Sequence, residues 1–274
     1  MRTTVRSLVF HMSTLNDSFL QTLVVQLDNE NTIGVTMAGS FARGEGGPYS
    51  DVDIHHYVRQ MPANAVETYF LRYMDGYLVS ITLIALEQEH ASLRDPKKAV
   101  WVIPGLRQER ILLDKDGSIA ALKESAAKIT WEELQTAAVA YASWNLAGCA
   151  EEVHKILAGL AQGDESKSLY ATWGLTRGLA NSLLVQRGTL IPTENAYIDL
   201  AQEAAGRKSE WTRQFRLAVG LDPLPMKELA FVGRGTAGLS LYCETARLLQ
   251  DILLLEDAPV VNRTVEIIIE AGYK

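Results

Sequence analysis

The stretch AGSFARGEGGPYSDVDIHHY, residues 38–57, places a Gly-Ser pair and several glycines ahead of two aspartates that alternate with apolar residues. Because side chains alternate along a β-strand, Asp51 and Asp53 are predicted to share one face, while Val52 and Ile54 point toward a core on the other. Two carboxylates this close repel each other unless a cation holds them. Mg²⁺ prefers such oxygen ligands and binds together with substrate phosphates, so the strand is predicted to carry a metal site.

The residues before the aspartates form a second candidate site. Ile33–Ala38 is typical of a buried strand, and the glycine of the following Gly39-Ser40 pair lets the backbone approach a ligand closely. The turn offers free N–H groups, Ser40 adds a hydroxyl, and Arg43 can place a guanidinium against the same oxygens. We therefore expect this turn to bind phosphate beside the carboxylates. The alternative is a glycine-rich hairpin whose exposed aspartates begin an edge strand.

Composition limits the classes of partner. The chain has 274 residues, of which 47% are hydrophobic and 22% charged, as expected for a globular protein of about two domains. Its net charge of −7 argues against nucleic-acid binding, because contacts to phosphate backbones need clustered lysine and arginine. The acidic balance is compatible with a small cationic substrate.

Features of targeting and redox chemistry are few. Arg2 and Arg6 precede an apolar patch, Leu8–Phe10, that is shorter than the apolar part of a signal peptide, and no later run approaches a membrane span. Cys149 and Cys243 lack metal-type spacing, so we expect two reduced thiols in the core. These features predict a cytoplasmic location and no membrane partner.

The chain changes character near residue 128. Before it, an amphipathic helix and β-like runs alternate, at Leu15–Leu27, Ile33–Ala38, Asp51–Tyr57, Tyr77–Leu86 and Arg110–Asp114. Beyond it the sequence reads as helical. We therefore predict an α/β (α+β) protein, with a mixed-sheet domain at residues 1–128 and a helical bundle at residues 129–274.

Helix signals divide the second half. TWEE, residues 130–133, has capping-box spacing and is predicted to open a helix to about Leu160. Further helices are predicted to end near Arg187, to begin near residues 192–195 and to span Thr236–Glu256. The run VEIIIE, residues 265–270, is rich in β-branched residues and predicts a β-rich tail.

The segment Gly39 to Asp53 resembles the nucleotidyltransferase superfamily that includes DNA polymerase beta, whose signature is Gly-Ser, a variable loop and Asp-x-Asp or Asp-x-Glu. GSFARGEGGPYSDVD is similar in particular to the antibiotic nucleotidyltransferases of the lincosamide and kanamycin types. These share the Gly-Ser turn, a basic residue three positions after the serine, and a Tyr-Ser-Asp lead-in. The resemblance also implies the two-domain order, a catalytic sheet followed by helices.

What the resemblance implies about residues is specific. Gly39 and Ser40 would contact the nucleoside triphosphate, with Arg43 and Ser50 nearby. Asp51 and Asp53 would be the Mg²⁺ ligands and the catalytic carboxylates.

The resemblance also implies an activity. The expected reaction is transfer of a nucleoside monophosphate, AMP from ATP, to a hydroxyl of an aminoglycoside or lincosamide antibiotic, with release of pyrophosphate. Two alternatives stay open. One is AMP transfer to a protein or tRNA, as in toxin–antitoxin nucleotidyltransferases, and the other is a nucleotide-binding sensor without catalysis.

The sequence departs from this superfamily at one position. A third carboxylate usually comes from a neighbouring strand, and in GYLVSITLIALEQE, residues 76–89, the corresponding residue is Ser80. Three explanations are open: the helical domain supplies a base, Glu87 or Glu89 bends back from the strand end, or the enzyme is weakened. Kanamycin nucleotidyltransferase draws a glutamate from its helical domain, which makes Glu151 the first candidate here and Glu152 the second.

His55 shares the predicted carboxylate face. It can contact nucleotide or metal directly, or it can support a residue that does. The tryptophans of the second half are read as core aromatics, although one or two could line a substrate cleft.

Overall fold

The structure is a computed structural model, and it describes residues 15–64, 68–225 and 229–273. The Leu8–Phe10 patch and the arginines before it lie outside these residues. Contacts between residues divide the chain into two units, one of Met1–Arg94 with Trp101–Ile129, the other of Asp95–Val100 with Thr130–Lys274.

The first unit is a mixed sheet with helices. Its elements are α1 (Asp17–Leu27), β1 (Thr32–Met37), α2 (Gly39–Ala42), β2 (Val52–Val58), β3 (Tyr69–Met74), β4 (Tyr77–Ala85), α3 (Leu86–Ser92), β5 (Arg110–Asp114) and α5 (Ser118–Lys128). Helix α4 (Pro96–Gln108) is divided between the two units. The predicted α+β class and the four predicted strands are confirmed, and β3 is an additional strand.

The strands lie in the order β3-β4-β2-β1-β5, so β2 is the central strand. Strand β2 runs parallel to β4 and antiparallel to β1. The alternative in which the aspartates begin an edge strand is therefore wrong, because β2 has a hydrogen-bonded neighbour on each side. Register places Asp53 opposite Ser80, and His55 opposite Thr36 and Thr82.

One face of this sheet is apolar. It packs against α1, and the buried core joins two sets of side chains: Phe19, Leu20 and Leu23 from the helix, and Val35, Met37, Val52, Ile54, Val79 and Ile81 from the strands. Fully burying one such side chain contributes roughly 1.5–3 kcal/mol. The predicted orientation of Val52 and Ile54 toward the core is confirmed, and it leaves Asp53 on the opposite face.

The second unit is helical. Its helices are α6 (Gln135–Gly148), α7 (Ala150–Gln162), α8 (Glu165–Gln186), α9 (Tyr197–Ala205), α10 (Glu210–Val219), α11 (Ala230–Leu249) and α12 (Ala258–Glu270). The helix predicted to run from Thr130 to about Leu160 is interrupted: a short 3₁₀ turn at Trp131–Glu133 precedes α6, and Cys149 separates α6 from α7. The helix predicted over Thr236–Glu256 begins and ends earlier, as α11.

The β-rich tail predicted from VEIIIE is wrong, because these residues lie in α12. Pro259 occupies the first turn, where a proline costs no hydrogen bond. Val261, Thr264 and Ile268 are the buried residues, and their spacing of three and four is that of a helix face. Packing of this face outweighs the weak strand preference of the β-branched residues.

Two further expectations concern the thiols and the membrane. Cys149 is buried, Cys243 is half-buried, and both are free thiols. Burial raises the pKa of Cys149 to about 12 and that of Cys243 to about 11. Among the helices in the described residues, none has the length and apolar character needed to cross a membrane.

Candidate active site

Asp53 lies at the centre of the candidate site, held between two neighbouring strands. On the β4 side, the Ser80 hydroxyl donates a hydrogen bond to Asp53 Oδ1 at 2.7 Å. On the β1 side, the other carboxylate oxygen lies against Gly39, which is separated from the end of that strand by Ala38 alone. The position of the expected third carboxylate is thus occupied by a neutral hydrogen-bond donor that orients Asp53.

Gly39 is required at its position for two reasons. Its φ of +64° lies in the left-handed region, which side-chain-bearing residues rarely adopt. A Cβ built on Gly39 would lie 1.9 Å from Asp53 Oδ2, so the carboxylate occupies the space that a side chain would need. The Gly-Ser turn therefore lies directly beside the carboxylate of Asp53, and a shared site for phosphate and metal stays a prediction.

The electrostatics of Asp53 favour a bound cation. Burial raises the pKa of its carboxyl above the ordinary value, and the neighbouring charge of Asp51 raises it further. The hydrogen bond from Ser80 and the charges of His55 and Arg43 lower it without cancelling the effect. A partly buried carboxylate beside a second one carries uncompensated repulsion that a divalent cation would remove.

The donor set fits Mg²⁺ bound together with a nucleotide. Within the described residues, no group of three or more His, Cys, Asp or Glu side chains is arranged to hold a metal by itself. Mg²⁺ is commonly held by one or two carboxylates, with substrate phosphates and water completing its coordination. Asp51 and Asp53 supply that number of carboxylates.

The loop before the aspartates is ordered by its own contacts. Arg43 Nε donates to Glu45 Oε2 at 2.7 Å, so its guanidinium is paired with an exposed carboxylate. Ser50 Oγ accepts from the Gly47 amide at 3.0 Å and closes a turn, while the Ser40 carbonyl accepts from the Glu45 amide at 2.9 Å. Ser40, Arg43 and Ser50 remain predicted nucleotide contacts.

Glu109 is a buried carboxylate on the same face of the sheet that the sequence analysis missed. It accepts three hydrogen bonds, from Thr36 Oγ1 at 2.7 Å, from Tyr57 Oη at 3.1 Å and from His55 Nδ1 at 2.8 Å. Because the buried carboxylate takes Nδ1–H, the orientation of the His55 ring is fixed two residues along the strand from Asp53.

In the pair formed by His55 and Glu109, each residue favours the charged form of the other. Burial by itself would raise the pKa of Glu109, but the hydrogen bonds and charge of His55, with Thr36 and Tyr57, lower it below its ordinary value. Burial would likewise lower the pKa of His55, but Glu109, and to a lesser extent the charges of Glu89 and Asp53, raise it. The pair is therefore stabilised as carboxylate and imidazolium.

The glutamates proposed as alternative bases differ in environment. Glu89 lies in α3, directly after β4, and its charge acts on His55. In the second unit, Glu151 is 74% exposed and bonds to Lys155, which lowers the pKa of Glu151. Glu152 also bonds to Lys155, at 2.9 Å, but its Oε2 is buried and has no hydrogen-bond partner in the described part of the chain.

The aromatic residues of the second unit divide into two groups. Trp211 is buried, stacks on Phe215 with ring centroids 4.9 Å apart, and donates to Thr245 Oγ1 at 2.8 Å. Trp144 and Trp173 are exposed instead. The reading as core aromatics is confirmed for Trp211 and wrong for these two.

Comparison with known proteins agrees with this geometry. Residues 21–124 match the family described as nucleotidyltransferase domain. The chain is similar in fold to a nucleotidyltransferase-like protein from Exiguobacterium sibiricum 255-15, at 13% sequence identity and a TM-score of 0.50, over 93% of this chain and 80% of that one. A comparison with curated protein sequences finds no match. The domain match supports a nucleotidyltransferase, and the structural similarity supports the fold.

Proposed function

We propose that this protein transfers a nucleoside monophosphate, AMP from ATP, to a hydroxyl of a small molecule and releases pyrophosphate with the help of Mg²⁺. The observation that carries the proposal is the position of Asp53, held between Gly39 and Ser80 within a nucleotidyltransferase domain. The acceptors we propose are aminoglycoside or lincosamide antibiotics. The resemblance of residues 39–53 to enzymes that modify these drugs supports them.

The roles of the residues follow from their chemistry. Asp51 and Asp53 would hold the metal, which when bound supplies positive charge to the phosphates as the α-phosphoryl group is attacked. Gly39 gives the triphosphate access to backbone N–H groups, and Ser40 donates a hydroxyl to the same oxygens. The guanidinium of Arg43 can leave the Glu45 carboxylate and donate two hydrogen bonds to a phosphate group instead.

Ser80 and His55 influence the orientation and the ionisation of Asp53. Ser80 cannot serve as a base, because its hydroxyl stays neutral at working pH, but its hydrogen bond keeps Asp53 Oδ1 in one orientation. His55, oriented by Glu109, adds positive charge to the face that carries Asp53 and Glu109. The same charge favours the ionised form of Asp53, which is the form that binds metal.

The proton of the acceptor hydroxyl needs a carboxylate that Ser80 does not provide. Glu151 is the first residue proposed for this role, but its exposure and its bond to Lys155 make it a weak base. Glu152 has the more suitable environment, since one of its oxygens is buried without a partner in the described residues. Within the first unit, Glu89 is the candidate for this base.

The decisive experiment is pyrophosphate release from ATP, with and without Mg²⁺, against a panel of aminoglycosides and lincosamides. We expect release that depends on both the metal and one class of acceptor, and that disappears in Asp53→Asn. Label from α-³²P-ATP on a protein or tRNA instead of a drug would contradict the small-molecule acceptor.

A sensor that binds nucleotide without transferring it is the second candidate, because a neutral serine stands where the third carboxylate is expected. It predicts tight, Mg²⁺-dependent ATP binding with no pyrophosphate release for any acceptor. Equilibrium binding of ATP, measured beside the release assay, separates the two functions.

A further inference from the structure

The edge strand β3 carries three large side chains that are unusually exposed. Tyr69, Leu71 and Tyr73 are 55%, 44% and 80% exposed, respectively. They alternate with Phe70 and Met74, which pack against the apolar core on the other face of the sheet. We call the three exposed residues the β3 wall.

Strand register places the β3 wall on the same face as the candidate active site. Leu71 pairs with Ser80, and Ser80 pairs with Asp53, so these three residues form one row across the sheet. Tyr69 likewise shares a row with Thr82 and His55. Adjacent strands lie about 4.8 Å apart, so Leu71 stands about 10 Å from Asp53 across the row.

The two sides of Asp53 differ in what they can receive. On the β1 side lie Gly39 and the glycine-rich loop, which is where the proposed function puts the triphosphate. On the β4 side lie the small hydroxyl side chain of Ser80 and then the β3 wall. A molecule that approaches Asp53 from this second side comes within reach of the wall while leaving the phosphate side free.

We propose that the β3 wall is the surface against which the acceptor lies, and that this acceptor presents an apolar ring face and not a polycationic one. This inference rests on the proposed function. The wall has two tyrosine rings and a leucine and no charged side chain, so it gains most from burying an apolar face against flat rings. Ligand pockets characteristically combine such surfaces with a few polar groups, here Ser80 and Thr82. Of the two proposed drug classes, this favours lincosamides.

The test is a binding measurement that does not require turnover. Lincomycin and kanamycin are titrated calorimetrically into the full chain with Mg²⁺ and α,β-methylene-ATP, and the affinity for the ATP analogue is measured separately. The variants are Leu71→Ala and Tyr73→Ala. The matched control is Arg72→Ala, an exposed residue of the same strand that lies over Phe70 at 6.0 Å, on the other face.

We expect lincomycin to bind more tightly than kanamycin, and each wall variant to weaken lincomycin binding about tenfold, as for a lost aromatic or apolar contact. Arg72→Ala should change it less than twofold, and no variant should alter affinity for the ATP analogue. Unchanged lincomycin affinity in the wall variants, tighter binding of kanamycin, or no lincomycin binding to the unmodified protein would overturn the inference.

Other outcomes assign the wall differently. A loss of affinity for the ATP analogue in the wall variants would make it a nucleobase surface, and a change of oligomeric state would make it a contact between copies; either result overturns the inference. If lincomycin binds through the wall but pyrophosphate release is absent, the inference stands and the proposed function fails. If pyrophosphate release is intact and the wall variants do not change it, the proposed function stands and the inference fails.

Discussion

The two faces of the sheet in the first unit are built from the same strands and held by different forces. On one face Val52, Ile54 and Val79 are buried against α1, and their positions depend on packing. On the other face Asp53 and Glu109 are polar groups whose positions depend on hydrogen bonds from Ser80, His55 and others. Because side chains alternate along β2, this strand places packing residues on one face and polar site residues on the other.

The sharpest test of this separation compares two aspartate substitutions with one substitution on the apolar face. Asp53→Asn or Asp51→Asn should lower Mg²⁺-dependent transfer by roughly 10³-fold or more with little change in stability, because metal-held charge is lost while packing is kept. Ile54→Ala, adjacent on the apolar face, should lower the free energy of unfolding by about 2–5 kcal/mol with nucleotide affinity unchanged. Turnover, nucleotide affinity and denaturant unfolding are measured for all three variants. Near-normal transfer by both aspartate variants would remove the metal-site assignment.

Gly39 tests whether the polar face tolerates displacement. Gly39→Ala should lower transfer by about 10²-fold, since the new Cβ would push Asp53 from its position and errors of about 1 Å carry such losses. Gly44→Ala is the matched control: its φ of +74° imposes a similar backbone strain, but a Cβ there would meet nothing within 4 Å. Equal losses in the two variants would show that strain, and not the contact with Asp53, is responsible.

Glu109 is where the separation of the two faces should break down. Glu109→Gln leaves part of a buried hydrogen-bond network unsatisfied and should lower the free energy of unfolding by about 1–3 kcal/mol, while also reducing turnover. Glu124→Gln removes an exposed carboxylate paired with Lys128 and should leave the free energy of unfolding nearly unchanged, because solvent screens this ion pair. Chemical denaturation compares the two, and a stability loss without any effect on turnover would restrict Glu109 to a structural role.

Arg43 tests recognition on the polar face. Arg43→Ala should weaken ATP and GTP binding by similar factors, about tenfold, because a charged hydrogen bond to phosphate is lost while the base is untouched. Glu45→Ala removes the carboxylate that pairs with the guanidinium, so it should leave both affinities unchanged or slightly improved. Equilibrium titration with each nucleotide gives the answer. If only one of the two nucleotides lost affinity, Arg43 would contact the base and not the phosphates.

Ser80 should give the smallest effect. Removing a hydroxyl without a partner would hardly change turnover, but the Ser80 hydroxyl donates to Asp53 and orients its carboxylate. We expect Ser80→Ala to lower turnover about fivefold and Ser80→Thr, which keeps the hydroxyl, to lower it less. Glu151→Gln and Glu152→Gln, assayed beside them, should depress turnover further if either residue is the base. A large loss in Ser80→Ala with both glutamine variants normal would refute a base at these two positions.

Local patterns predicted much of the catalytic sheet. Alternation from Asp51 to His55 was enough to orient Asp53 away from the core. Alternation along GYLVSITLIALEQE put Ser80 on the polar face of its strand, and the resemblance to nucleotidyltransferases is what linked that position to the aspartates. Strand β3 was missed because YFLRYM mixes exposed apolar residues with an arginine, so it lacks the polar and apolar alternation that marks a half-buried strand.

Other features depend on contacts between distant parts of the chain. Glu109 stands 54 positions from His55, at a boundary between a helix and a strand, and its sequence neighbours Gln108 and Arg110 are polar, so no local pattern marks it as buried. The break at Cys149 has one local signal, Gly148 at the end of α6, but a single glycine inside a helical pattern does not by itself predict a break. VEIIIE was misread because composition was weighed above the spacing of Val261, Thr264 and Ile268.

The close approach of Gly39 and Asp53 also limits how this protein can evolve. The space beside the glycine is filled by the carboxylate of another residue, so a side chain at position 39 must either displace that carboxylate or be accompanied by a smaller residue at 53. A smaller residue at 53 would lack the acid. Substitutions at the two positions are therefore expected to depend on each other and not to accumulate independently.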